Sequence, residues 1–186
     1  FIASSAIGFY GERGEEEVTE SSAAGDNFLA GVCKEWEAES RRAEDAGIRT
    51  VLLRTGIVLS KDGGALATML TPFKLGVGGV VGSGKQWMSW ISLEDEIAVI
   101  NYVIENENIR GAVNAVSPNP VTNEEFTKTL GAVLYRPTFL PLPEFAVSMI
   151  FGEMGDALLL ASTKVMPKRL EDAGFDESTA RSVGAD

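Results

Sequence analysis

The chain has 186 residues, a formal net charge of −11 and no histidine. This charge, without any basic cluster, argues against nucleic acid or an anionic membrane surface as a partner. The absence of histidine removes the commonest metal ligand and excludes a Ser-His-Asp triad, so no metal site is predicted. One cysteine permits no internal disulfide, and no apolar run reaches the ~20 residues of a transmembrane span, so we expect a soluble, intracellular protein of the cytoplasm or of an organelle matrix or stroma.

The first predicted element is a short strand over residues 1–6, and residues 7–11 form the turn after it. The chain begins inside this strand, with Phe1 rather than methionine and without a basic leader. We therefore expect the chain to be the carboxyl-terminal part of a longer protein.

A helix is predicted next. Asp26 or Asn27 can cap its amino terminus, and Gly47 is placed to end it. Apolar residues recur every four positions along it, which is typical of a buried helical stripe. The predicted stripe consists of Phe28, Val32 and Trp36.

Residues 50–60 hold two unbroken aliphatic triplets, which indicate a strand covered on both faces, as in a parallel sheet. The break between the triplets is Arg54, Thr55 and Gly56, at the carboxyl end where open α/β sheets bind ligands. A guanidinium, a hydroxyl and a bare backbone suit a phosphorylated or polar ligand. The alternative is a strand ending in a turn, with Arg54 solvated or paired to a carboxylate. Strand, helix and strand together predict a right-handed βαβ unit and an α/β fold.

The middle of the chain predicts a helix over residues 65–75 that bends or ends near Pro72. Residues 76–84 contain five glycines in nine positions. They neither follow a predicted strand nor open a helix, so a mobile loop over the site is favoured over a phosphate cradle. Residues 86–91 are predicted to be extended.

Two capping signals mark later helices: Ser92 with Asp95, and Thr122 with Glu125. The inward residues predicted for these helices are Ile97, Ile100 and Ile104 in the first, and Phe126, Leu130 and Val133 in the second. A strand over 111–116 lies between them, and residues 137–143 are predicted to be extended. Apolar or mixed segments predict helices over 144–151, 157–162 and 164–173, the last ending at Gly174.

Four ordered stretches resemble the extended short-chain dehydrogenase/reductases, and more closely the branch labelled epimerase-family protein, similar to bacterial cell-division-inhibitor-like proteins and their organellar relatives. The stretches are residues 4–11, residues 54–59 with 63–65, residues 82–87 with 89–91, and Asn114 with 118–123. Residues 140–169 resemble the small carboxyl-terminal domain of that branch. The resemblance extends from residue 1 to about residue 175.

The resemblance implies the second half of a Rossmann-like parallel sheet, followed by a small, mainly helical carboxyl-terminal domain on the substrate side. It implies domain limits at residues 1–62, 63–136 and 137–186. It also implies a nicotinamide cofactor, NADP rather than NAD, whose pyrophosphate would sit on a glycine-rich turn roughly 120 residues before Phe1. This segment alone is therefore expected to bind the cofactor poorly.

By the same resemblance, Ser5 matches the catalytic serine if one residue is inserted, whereas Ala6 matches without a gap. A strand-end hydroxyl bonded to backbone is the alternative for Ser5. Members of this family use a tyrosine and a lysine on the following helix as a catalytic dyad. The resemblance places Leu29 and Cys33 at these two positions, and neither residue can relay a proton as the dyad does. Tyr10 is the nearby phenol and the second catalytic candidate, with packing as the alternative.

The cofactor contacts implied by the resemblance come from Arg54, Thr55, Gly56 and Ile57. The substrate pocket is predicted from Gln86, Trp87 and Trp90, with core packing as the alternative for the two tryptophans. Cys33 is expected to be an inert buried thiol.

Two functions follow from these assignments. The first is an NAD(P)-dependent oxidoreductase or epimerase acting on an unidentified small molecule. The second is a catalytically degenerate reductase that serves as a structural or assembly subunit of a larger complex, which the missing tyrosine and lysine favour. A purely structural fragment without cofactor is a third possibility.

Overall fold

The computed structural model describes residues 1–145, 149 and 160–175, and within them the fold is α/β, as predicted. The elements in chain order are β1 (Ile2–Ala6), a 3₁₀ turn (Ile7–Tyr10), β2 (Glu17–Val18), α1 (Phe28–Asp45), β3 (Val51–Thr55), β4 (Ile57–Leu59), α2 (Gly64–Lys74), β5 (Trp87–Met88), β6 (Trp90–Ser92), α3 (Leu93–Glu105), β7 (Gly111–Ala115), β8 (Val121–Thr122), α4 (Asn123–Leu134), β9 (Lys164–Val165) and α5 (Lys168–Asp172). No helix in these residues is both long enough and apolar enough to span a membrane.

The central sheet is parallel, with the strand order β1-β3-β7. Val51 and Leu53 of β3 pack with Val99 and Val103 of α3 in the main core, so α3 covers one face. The other face, which includes Arg54, lies against α1. Because β3 is covered on both sides, its side chains are apolar at consecutive positions, and the predicted buried parallel strand is confirmed.

Helix termini follow the predicted capping signals. The side-chain oxygens of Asn27, Ser92 and Thr122 each accept a hydrogen bond from the backbone N–H three residues on, and Glu125 completes a capping box with Thr122. Gly47 follows α1 with φ +76°, a backbone conformation that glycine adopts without strain. These caps satisfy backbone groups that the helices themselves leave unpaired.

The predicted apolar stripe of α1 is wrong: it faces away from the sheet. Phe28 is 81% exposed and Trp36 is 59% exposed, and Val32 is exposed as well. The buried residues of α1 are instead Ala30 and Glu37. The inner face is polar because the sheet beneath it presents a buried arginine that needs a carboxylate.

The inward faces predicted for α3 and α4 are also partly wrong. In α3, Ile97 and Ile104 are exposed and Ile100 is partly buried, whereas Val99 and Val103 are buried. Both sets of residues repeat at helical spacing, so periodicity alone could not choose between them. In α4, Phe126 and Leu130 are half-buried, Val133 is exposed, and the buried residues are Asn123, Thr127 and Gly131.

The glycine-rich segment, predicted to be a mobile loop over the site, forms backbone hydrogen bonds with two other parts of the chain. Gly82 N–H donates to the Leu142 carbonyl (2.9 Å), and Leu142 N–H donates to the Val80 carbonyl (2.8 Å). The carbonyl of Gly84 accepts from the Glu124 N–H (2.9 Å) at the start of α4. The segment therefore connects α4 to the extended residues 139–142.

Two further differences concern the carboxyl-terminal part. The helix predicted over 164–173 is shorter, because Lys164–Val165 pairs as β9 with β2 and α5 starts after Pro167. Most residues of the helices predicted over 144–151 and 157–162 lie outside the described residues. The three domain limits stay predictions.

Candidate functional site

Three polar residues lie side by side across the central sheet. Ser5 of β1 pairs with Arg54 of β3, and Arg54 pairs with Asn114 of β7. Each is the fourth of five residues in its strand, so all three lie close to the carboxyl ends. Residues in register on adjacent strands project from the same face of a sheet, and this face is the one under α1. We call these three residues the polar row.

Arg54 forms a buried, bidentate ion pair with Glu37 of α1. Its Nε donates to Glu37 Oε1 (2.7 Å) and its Nη2 donates to Oε2 (2.8 Å). Both side chains are 3% exposed. The parallel arrangement of two charge-assisted hydrogen bonds is the strongest geometry available to an arginine and a carboxylate.

The third nitrogen of Arg54 links the ion pair to Tyr10. Nη1 donates to the Tyr10 hydroxyl (3.0 Å), which in turn donates to Asn114 Oδ1 (2.6 Å). The guanidinium also stacks on the ring of Phe9, 3.4 Å from the centroid. Burial raises the pKa of Tyr10 in spite of the neighbouring cation, so the phenol keeps its proton and acts as a donor. This buried position favours the packing alternative for Tyr10 over proton transfer.

Ser5 joins the same network. Its Oγ donates to Glu37 Oε1 (2.9 Å), and the residue is half-buried. The partner is thus a side chain, not the backbone group that was the alternative prediction. Because the hydroxyl proton is directed at Glu37, the oxygen lone pairs of Ser5 can still accept a hydrogen bond from a ligand.

The Cys33 thiol interacts with Ser5 and with the backbone of Ala6. Burial raises the pKa of Cys33, so the thiol stays protonated near neutral pH and carries no charge. The expectation of an inert thiol agrees with this shift, although Cys33 is half-buried rather than fully buried. Cys33 therefore cannot replace the cation that a lysine would supply at this position.

The predicted cofactor contact of Arg54 stays a prediction, and its surroundings limit it. All three guanidinium nitrogens already donate to Glu37 or Tyr10, and the side chain is shielded from solvent. A direct bond to a cofactor phosphate would require Arg54 to give up one of these partners. The contacts of Arg54 are those of a residue that holds Glu37 and Tyr10 in position.

The three residues after Arg54 have structural partners of their own. Thr55 Oγ1 donates to Glu96 Oε1 (2.9 Å), and Ile57 N–H donates to the Ser89 carbonyl (2.9 Å). Gly56 has no room for a side chain, because a Cβ there would lie 2.7 Å from the Ser89 carbonyl oxygen. Close strand packing therefore explains the glycine, while the roles of Thr55, Gly56 and Ile57 at a cofactor stay predictions.

The three residues predicted to line the substrate pocket lie in different environments. Gln86 is buried, and its amide donates to a carbonyl of the glycine-rich segment (2.9 Å). The Trp87 ring lies 4.6 Å from Lys164 Nζ, and Trp90 Nε1 donates to the Asn119 carbonyl (3.1 Å). These contacts are those of the packing alternative, and a substrate role for the three residues stays a prediction.

Glu37 and Asn114 belong to the network, but neither was predicted as a site residue. Asn114 was named only as part of a stretch that resembles the family. Periodicity gave no signal for Glu37, because it placed Phe28, Val32 and Trp36 on the inner face of α1 and Glu37 lies off that stripe.

Ser5 and Thr55 lie in adjacent strands but project from opposite faces of the sheet, Ser5 toward Glu37 of α1 and Thr55 toward Glu96 of α3. One buried carboxylate oxygen nearby, Glu96 Oε2, has no hydrogen-bond partner within the described residues and could accept from a ligand donor. Burial raises the pKa of Glu96, and the bond from Thr55 only partly opposes this shift. The described contacts assign no residue to the phosphates.

Comparison with known proteins finds relatives that match most of this chain. A family model described as "Domain of unknown function (DUF1731)" matches residues 142–176. Epimerase family protein Mb2239 of Mycobacterium bovis is 47% identical over 174 residues, which are 94% of this chain and 58% of that protein. The chain therefore spans a little over half the length of this relative.

Two solved structures share the fold. The crystal structure of human epimerase family protein SDR39U1 (isoform 2) with NADPH has a TM-score of 0.89 and 36% identity, over 94% of this chain and 59% of that chain. The nucleoside-diphosphate sugar epimerase of Corynebacterium glutamicum has a TM-score of 0.77 and 37% identity, over 97% of this chain and 36% of that chain. These matches support an atypical short-chain dehydrogenase/reductase of the epimerase family, and the chain spans part of the length of such proteins.

Proposed function

We propose that the whole protein binds NADP(H), or NAD(H), and that the polar row lies where the nicotinamide and a small-molecule substrate meet. The observation that carries this proposal is the alignment of Ser5, Arg54 and Asn114 at the carboxyl ends of three parallel strands. In open α/β sheets this edge forms the ligand crevice. The similar human structure, solved with NADPH, supports the choice of cofactor.

In this proposal Ser5 binds the substrate and the buried network holds Ser5 in place. Glu37 accepts a hydrogen bond from Ser5 Oγ and is itself held in place by two hydrogen bonds from Arg54. Ser5 therefore presents an oxygen that accepts from a substrate hydroxyl or a carboxamide. When bound, the nicotinamide would supply the hydride donor or acceptor for oxidoreduction or epimerisation. Arg54, Tyr10 and Glu37 act as positioning residues.

The test uses the full-length protein and a matched pair of serine variants. Ser5→Ala should retain NADPH binding, measured by cofactor fluorescence, and lose turnover against a panel of metabolites by about 10²-fold or more. Ser4→Ala changes the exposed neighbour in the same strand and should leave both unchanged. Full turnover in Ser5→Ala, or no binding of NADPH and NADH by the wild type, would overturn the proposal.

A second function is favoured by the residues that replace the catalytic dyad. Leu29 and Cys33 stand at the places of the tyrosine and lysine, and the Cys33 thiol is uncharged. Tyr10 is buried and committed to Asn114. These features support a degenerate reductase that keeps its cofactor and serves as a structural or assembly subunit of a larger complex.

The two functions differ in what the purified wild type does. A subunit should retain NADPH, show no turnover with any metabolite and co-purify with a partner in fixed stoichiometry. An enzyme should oxidise or reduce the cofactor in the presence of its substrate. The identity of the substrate or partner, and the cell compartment, stay predictions.

A further inference from the structure

A cavity lies beside the central sheet and α1. Its volume is about 560 Å³, within the range of small-molecule sites. Thr50, just before β3, and Gly111, the first residue of β7, line it, so it includes the amino-terminal ends of these strands. Arg54 of the polar row also lies in its wall, so the cavity extends along this face of the sheet to the polar row.

Four arginines border this cavity in a chain whose net charge is −11. We call it the arginine cavity; its arginines are Arg41, Arg54, Arg110 and Arg169. Arg54 is neutralised by Glu37, and Arg41 lies 4.0 Å from Glu44, which is also in the wall. The charges of the other two arginines are thus the ones available to a ligand.

The remaining carboxylate of the wall, Glu20, is turned toward backbone groups. Its Oε1 accepts from the N–H of Asn114 (3.0 Å) and from the N–H of Arg169 (3.2 Å). Those bonds stabilise the carboxylate at the edge of β7 instead of pairing it with a guanidinium. Glu20 lowers the positive potential of the cavity without removing it.

Arg169 is held at the cavity by the backbone of β7. Its Nη1 donates to the carbonyl of Arg110 and to that of Ala112 (2.9 Å). A side chain at Gly111 would crowd this nitrogen, because a Cβ there would lie 3.3 Å from it. The guanidinium of Arg110 is exposed and has no hydrogen-bond or ion-pair partner within residues 1–145, 149 and 160–175. One arginine is therefore fixed in place beside another that is free to bind.

We propose that the arginine cavity binds a small molecule through a phosphoryl group. The planar fork of a guanidinium matches phosphate oxygens bidentately. Arg110 and Arg169, which have no carboxylate partner within the described residues, together match the double negative charge of phosphate. A ligand carboxylate carries a single negative charge and would neutralise only one of these two arginines. The volume leaves room for more than a free ion, so the phosphoryl group belongs to a larger molecule.

The experiment titrates the full-length protein with inorganic phosphate and with pyrophosphate by isothermal calorimetry. Arg110→Gln should weaken phosphate binding about tenfold, because it removes a charge-assisted hydrogen bond to the ligand. The substitution leaves no described protein group without its partner. Glu44→Gln should tighten binding, because it removes a negative charge from the wall. Arg42→Gln is the matched control: it removes the same charge from α1 outside the cavity, at an exposed pair with Glu39.

Binding that Arg42→Gln weakens as much as Arg110→Gln would overturn the proposal, since the effect would then be one of overall charge. An unchanged affinity in Arg110→Gln, or acetate that binds as tightly as phosphate, would also overturn it. Saturating NADPH should leave the phosphate affinity unchanged; competition would assign the anion to the dinucleotide site instead. The result is independent of whether the polar row proves catalytic.

Discussion

Replacing Glu37 with glutamine should strongly destabilise the protein, because it leaves the charge of Arg54 buried without its carboxylate. Glu37 accepts two bonds from Arg54 and one from Ser5, and the ion pair is 3% exposed on both sides. A glutamine can accept through its single oxygen but presents an NH₂ group to the second guanidinium nitrogen.

Removing one partner of a buried ion pair costs about 3–5 kcal/mol of unfolding free energy. That is a large share of the roughly 5–15 kcal/mol that holds a typical domain folded. For a chain of this size each kcal/mol lowers Tm by about 2–4 °C, so the expected drop is about 6–20 °C.

Urea denaturation of the full-length protein measures this loss. Glu39→Gln is the matched control on the same helix: Glu39 is 73% exposed and pairs with Arg42 at 2.9 Å. An exposed pair of this kind contributes about 0–1 kcal/mol. Replacing both Glu37 and Arg54 with methionine should recover most of the loss, since no charge is then left buried. If Glu37→Gln and Glu39→Gln lose the same amount, the buried network does not hold the polar row together.

Four further substitutions test other parts of the structure. Tyr10→Phe removes the hydroxyl between Arg54 and Asn114 and should lower the unfolding free energy by about 1–3 kcal/mol in urea titrations. An unchanged unfolding free energy would mean that Arg54 and Asn114 bind each other or water instead. Gly56→Ala should lower the unfolding free energy by about 1–3 kcal/mol, because its Cβ would meet the backbone of Ser89. Gly31→Ala, with open space around it inside α1, should instead stabilise by about 0.5–1 kcal/mol, and equal effects of the two changes would contradict the packing described for Gly56. Glu96 has a pKa raised above its ordinary 4.5 by burial, so the folded protein holds this proton more tightly than the unfolded chain does. The stability from Glu96 is present below pH 4.5 and is lost as the pH rises through the raised pKa. Glu96→Gln should therefore flatten the pH dependence of the unfolding free energy above this point, and parallel curves for the two proteins would show that Glu96 titrates normally.

Local signals in the sequence predicted local structure well. The caps at Ser92 and Thr122 and the stop at Gly47 are all where the sequence placed them. Each of these devices involves a side chain and backbone groups within a few residues, so every part of the interaction is contained in a short stretch. The aliphatic run of β3 predicted its burial on both faces for the same reason.

The polar row could be predicted only in pieces. Ser5 and Arg54 were candidates, yet nothing in the sequence shows that they are neighbours or that Asn114 completes the row. Their contact depends on the register of strands that are far apart in the chain. Register is decided by how the sheet and its covering helices pack, and a shift of one residue would turn these side chains to the other face.

The α/β class, the succession of β1, α1 and β3, and the amino-terminal caps of α1, α3 and α4 follow from the sequence by itself, because hydrophobic runs and caps act over short distances. Which face of α1 meets the sheet was decided by the tertiary structure alone. The helix offers an apolar stripe from Phe28 to Trp36 and a mostly small or polar face that includes Ala30 and Glu37, and periodicity favours the first. The second face packs inward because a buried guanidinium in β3 needs a carboxylate, and an unpaired buried charge costs more than the exposure of a few apolar side chains.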